Sequence, residues 1–132
     1  MAIWNHPGFL RSVLLVDAAT CVATGAVMTV GSNLIAGLTE IPIGLLMVAG
    51  LSLFPIAVFI AIVAMRPATW PSGVWLVVLG NVGWVAGSLW LLLADSIAPN
   101  GLGYAFLVVQ AMAVAVLAEL EVMGARGSAS RA

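Results

Sequence analysis

An all-α membrane fold, a four-transmembrane-helix bundle threaded up-down-up-down as a single domain, is predicted by three observations. Hydrophobic residues make up 64% of the chain and charged residues only 7%, whereas about a quarter of a soluble domain is charged. Four long apolar stretches are separated by short runs of Gly, Pro, Ser and Asn, and 132 residues hold four spans of roughly 20 residues with no room for a separate soluble domain. Finally, with four spans every arginine, Arg11, Arg66, Arg126 and Arg131, falls on one side of the membrane, while Glu40 and Asp95 fall on the other. Chance alone would place all four arginines together about one time in eight, and a three- or five-span threading breaks the pattern. The positive-inside rule then puts both termini in the cytoplasm.

The first span is expected over about residues 9–31. Ahead of it, Trp4, His6 and Pro7 form an aromatic and polar lead-in at headgroup level, with Arg11 snorkelling to water. Asp17, Thr20, Cys21, Thr24 and Gly25 share one face of this helix, the small and hydroxylated side that lets membrane helices approach closely. Cys21 is the only cysteine, so it is read as a small buried side chain, with no disulfide and no thiolate metal site. A lipoprotein signal ending at Cys21 is rejected because Asp17 interrupts the apolar run.

A link over residues 32–38 leads to Thr39, which is expected to cap the second span (41–65) with Glu40 and Pro42 in its first turn. Pro55 removes one backbone bond to Leu51 and predicts a kink, with Ser52 placed to satisfy part of the loss. The run Arg66-Pro-Ala-Thr-Trp-Pro-Ser-Gly73 ends that span, and Trp70 and Trp75 flank the start of the third (74–94). There Gly83 and Gly87 make a GxxxG spacing, joined by Gly80, which predicts a helix-packing face. Beside it runs a polar stripe of Asn81, Trp84 and Ser88. Pro99-Asn100-Gly101 turns the chain into the fourth span (102–123), anchored at its outer end by Tyr104. On that helix Gln110 shares a face with Gly103, Leu107, Val114, Leu117 and Glu121, while Glu119 points the opposite way. The Gly-, Ser- and Ala-rich tail, 124–132, is expected to be disordered.

Depth along the spans places Asp17 and Asn81 on the order of 10 to 12 Å inside the cytoplasmic boundary, with Trp84, Pro55 and Gln110 somewhat deeper in neighbouring layers. A buried carboxyl is costly unless protonated, paired or facing a wet cavity. We therefore expect an intramembrane polar cluster of Asp17, Asn81 and Gln110, roofed by Trp84, with Thr20, Thr24 and Ser88 further out. The segment containing Asp17, Thr20 and Thr24 also echoes the one containing Asn81, Trp84 and Ser88, which, as a parallel repeat, sets Asp17 and Asn81 face to face at equal depth. Glu119 and Glu121, close to the inner boundary, are expected to form interfacial ion pairs with Arg11, Arg66 and Arg126.

No span contains a histidine, and the chain shows no paired nucleophile and base, phosphate loop or metal-ligand spacing, so neither an enzyme nor a cofactor or metal is expected. The net charge of -1 gives no footprint for nucleic acid. Fluoride channels and small multidrug exporters share the size and span count, but their asparagine-rich and first-helix glutamate patterns are not present beyond a lone acid.

LRSVLLVDAAT in the first span, NVGW in the third and VVQAMAVAVLAEL in the fourth make the chain resemble short four-span bacterial integral membrane proteins. The resemblance implies a four-helix protein of the bacterial inner membrane and carries no mechanism. The leading expectation is a non-enzymatic interaction module or small subunit that self-associates or docks onto a larger membrane assembly through its glycine face. The alternative is a small proton- or cation-linked transporter or channel in which Asp17 titrates.

Overall fold

The computed structural model describes residues 3–131, without the side chains of Trp4, Ser130 and Arg131. The interfacial placing of Trp4, the guanidinium of Arg131 and the last tail residue thus lie outside the described residues. After a short 3-10 turn, Ile3–Asn5, come α1 (Phe9–Val30), α2 (Ser32–Thr39), α3 (Ile43–Met65), α4 (Pro71–Leu93) and α5 (Gly101–Arg131). Four of these, all but α2, are long and apolar enough to cross a membrane.

The helix limits follow from local chemistry. Pro71 opens α4 at a position where a missing amide costs nothing. Asn100 caps α5, its Oδ1 accepting from the Gly103 amide at 3.0 Å. Two expectations fail at the far end of the bundle. The link after α1 is itself helical, and Thr39 closes α2 instead of capping α3: its Oγ1 donates to the Ile35 carbonyl at 2.6 Å and accepts from the Ile41 amide at 3.3 Å. Glu40 then adopts a left-handed turn, φ 58°, and Pro42 sets the start of α3. Asn100 staples this corner to α5 through the Leu38 and Thr39 carbonyls, at 2.8 and 3.0 Å.

At the other end, the expected disordered tail is helix, and α5 runs to Arg131. Its small residues pack. A Cβ on Gly124 would lie 3.1–3.2 Å from Leu10, Gly127 is buried, and the Ser128 and Thr69 hydroxyls meet at 3.3 Å. A composition that favours disorder in isolation is here overridden by close contact with α1 and the α3–α4 loop.

Around the bundle the order is α3, α1, α5, α4. α1 packs along α3, α4 packs along α5, and α1 joins the two hairpins by touching α5, whereas α3 and α4 barely meet. The α1–α3 crossing is set by two glycines. A Cβ on Gly25 would come 2.9 Å from the Gly50 carbonyl oxygen, and one on Gly50 would come 2.9 Å from Met28 and Thr29. Gly80, Gly83 and Gly87, expected to be the packing face, have nothing within 4 Å of where a Cβ would stand. They line the gap between α4 and α3, since GxxxG records a flat helix face and says nothing of what covers it. Pro55 lies in α3 and is exposed on the same gap. Ser52 does not serve the Leu51 carbonyl; its Oγ donates to Ala49 O at 2.7 Å.

These contacts rank the glycines. Gly50→Val should lower stability by about 1–3 kcal/mol through overpacking, whereas Gly83→Ala, pointing into open space, should change it by less than about 0.5 kcal/mol. Unfolding in mixed detergent micelles measures both.

Candidate functional site

Three transmembrane helices converge on one amide. Asn81 Nδ2 on α4 donates to Asp17 Oδ2 on α1 at 2.8 Å and to Glu121 Oε1 on α5 at 2.7 Å. The helix starts and ends explain the coincidence of depth. Asp17 lies eight residues past Phe9 at the start of α1, Asn81 ten past Pro71 at the start of α4, and Glu121 ten before Arg131 at the end of α5. At about 1.5 Å per residue these are 12 to 15 Å from the same end of the bundle.

Burial is nearly complete, 2% exposed for Asp17, 7% for Asn81 and 0% for Glu121. Hung on the same nitrogen, the two carboxyls lie against each other. Asp17 Oδ1 takes only a long contact from Cys21 Sγ, 3.7 Å, and Glu121 Oε2 accepts no hydrogen bond at all. Glu121 is thus misplaced by the expectation of interfacial ion pairing. It stands ten residues inside the end of the helix because α5 continues beyond Met123 to Arg131. Arg11 and Arg66 are also engaged elsewhere: Arg11 Nη2 donates to the Arg66 carbonyl at 3.0 Å, and the Arg66 guanidinium sits 4.8 Å from the Trp70 ring centre. Glu119 and Arg126 are exposed.

Asn81 and Asp17 face each other, as the echo between the first and third spans requires. Gln110, however, does not join them. It forms a second polar layer further out: Trp84 Nε1 donates to Gln110 Oε1 at 2.7 Å, Gln110 Nε2 donates to Ser88 Oγ at 2.9 Å and Leu107 O at 2.8 Å, and Ser88 Oγ donates to Trp84 O at 2.9 Å. Trp84 therefore roofs the acid cluster by closing its own ring of bonds with Gln110. Thr20 turns back on its helix, Oγ1 donating to Val16 O at 2.7 Å.

Between the layers lies a cavity of about 380 Å³. Asp17, Asn81, Thr20 and Thr24 give it a polar floor and side, Trp84 and Gln110 its roof, and Phe59, Ile60, Leu76 and Leu117 apolar walls. It opens sideways where α3 and α4 fail to meet. A second recess of about 280 Å³ continues the gap outward past Gly83 and Gly87, with Trp84 as the partition. Such a volume, apolar with a few convergent polar groups, is that of a small-molecule site.

Among the described residues no three His, Cys, Asp or Glu side chains converge as a metal set. The centre of the acid pair is moreover taken by an N–H donor, whose positive end repels a metal ion. Compared with known proteins, the chain matches no family model, no curated protein and no solved structure to a significant degree.

Asn81→Leu removes both donors at once. It should cost about 1–3 kcal/mol for each carboxyl left unsatisfied, and the loss should shrink when Glu121→Gln is added, because a neutral amide supplies its own donor. A double-mutant cycle in detergent measures this coupling.

Proposed function

We propose that the chain is a small membrane carrier that exchanges a proton for a small apolar-bodied cation, with the Asp17–Asn81–Glu121 cluster as the binding charge. The observation that carries this reading is one carboxyl, Asp17, at the floor of a cavity open to the side of the bundle, joined through the Asn81 amide to a second, fully buried carboxyl, Glu121. Two full negative charges at this separation in a low-dielectric interior repel strongly, and among the described residues no cationic side chain reaches them. Charge balance calls for a proton on the pair or a cation beside it, and these two occupants exclude one another. Apolar walls and the Trp84 face suit the body of such a cation, and Asp17 suits its head. The work needs no catalytic group and no cofactor. By the arginine asymmetry, the end bearing the termini faces the cytoplasm of a bacterial inner membrane.

A second reading, an interaction module in a homo-oligomer or larger membrane complex, is favoured by the uncovered glycines Gly80, Gly83 and Gly87. A helix from a second copy seated there would close the mouth of the cavity, so the two readings compete for one groove.

Proteoliposomes holding a pH gradient separate them. The carrier reading expects accumulation of tetraphenylphosphonium against the gradient, abolished by Asp17→Asn and by Glu121→Gln, each of which keeps an acceptor oxygen for Asn81 and so keeps the fold. Absence of flux in the wild type, together with efficient disulfide dimerisation of a Gly83→Cys variant in membranes, would give the groove to the second copy.

A further inference from the structure

The terminal end of the bundle carries a second, independent pocket, about 360 Å³, whose chemistry is opposite to that of the acid cluster. Arg11 and Arg66 stand on its rim with Thr69 and Ser128, and no acidic residue lines it. We propose that this pocket binds the phosphate of an anionic phospholipid.

Four features support the assignment. First, two guanidinium-bearing residues are held together without an acidic partner among the described residues: the Arg11 side chain is tied to the Arg66 backbone at 3.0 Å. An anion at this rim supplies the missing counter-charge. Second, Arg66 is pre-set. Its guanidinium lies 4.8 Å from the centre of the Trp70 ring. Trp70 is wedged edge-on against Phe59 with ring centres 6.0 Å apart, and it packs so closely on Gly73 that any Cβ there would run into the indole. A planar fork fixed in this way meets a phosphate with little ordering cost.

Third, the Thr69 and Ser128 hydroxyls, 3.3 Å apart, offer neutral donors on the same rim. Only one hydrogen is needed between them, so the other is available to an oxygen anion. Fourth, the pocket deepens into buried apolar side chains, Leu10, Leu14, Val63 and Val74. A free phosphate has no use for such a back wall, whereas the glycerol and upper acyl carbons of a lipid fill it. Basic pockets between transmembrane helices at a membrane surface are a known mode of headgroup recognition. This inference stands apart from the carrier reading, and either can fail alone.

The test is lipid retention and thermal stability of the purified full chain in detergent, with added phosphatidylglycerol, phosphatidylcholine or inorganic phosphate. Phosphatidylglycerol should raise the unfolding midpoint by several degrees and stay bound in native mass spectra, with phosphatidylcholine and millimolar phosphate giving no comparable shift. Arg66→Gln should weaken retention at least fivefold, and Arg66→Lys, which keeps charge but loses the fork and the ring contact, should fall between. Arg126→Gln removes an exposed charge at the same end that does not line the pocket, and should leave retention unchanged. Equal losses for Arg66→Gln and Arg126→Gln would reduce the effect to general surface charge and overturn the proposal. So would equal stabilisation by phosphatidylcholine, and stabilisation by phosphate alone would make the pocket a free-anion site instead. Should Arg66→Gln fail to fold, the Arg66→Lys and Arg126→Gln comparison decides the matter by itself.

Discussion

One side-chain amide determines how this bundle closes. Asn81 uses both of its hydrogens on two carboxyls from two other helices, and it does so across the diagonal, since α1 and α4 make no close backbone approach of their own. Removing polar groups from water in a membrane interior is costly, and these three side chains offset one another's cost only in a single rotational setting of α1, α4 and α5. The apolar remainder of each helix, exposed widely toward lipid, imposes no comparable constraint, because one aliphatic face packs about as well as another. Polar groups therefore fix rotation and depth, and the glycine contacts at Gly25, Gly50, Gly103 and Gly124 fix the spacing.

The two polar layers divide the interior by chemistry. The acid layer is under-supplied with donors: Glu121 Oε2 accepts nothing, and Asp17 Oδ1 has only a thiol. The outer layer is nearly saturated, with Trp84, Gln110 and Ser88 closing a loop of bonds among themselves. The cavity lies between them, roofed by Trp84 and Gln110 and floored by Asp17 and Asn81, while the unsatisfied Glu121 stays buried outside its lining.

Much of this was legible in the sequence, for physical reasons. Four apolar stretches and four arginines determine span count and threading because the bilayer leaves few alternatives. The meeting of Asp17 and Asn81 followed from depth and helix face alone. Glu121 is legible only in part: the helical wheel puts it on the same face as Leu117 and Gln110, but a helix end expected at Met123 puts it at the interface. The difference lies in the tail, where Gly124 and Ser128 look like a disordered composition yet have Leu10 and Thr69 packed against them. The GxxxG spacing failed for the converse reason. It correctly marked a flat stripe on α4, but the partner it suggested is not another helix of this chain.

The seam between α3 and α4 has a mechanical consequence. Because the two hairpins meet mainly where α1 touches α5, with the Asn100 staple at the far corner and Asn81 as a pin between, the molecule resembles a book bound at its spine. Among the described residues α3 and α4 touch only sparsely, so few side chains hold the fore-edge, and of all the joints in the bundle it is the one where surrounding acyl chains have most leverage on its width.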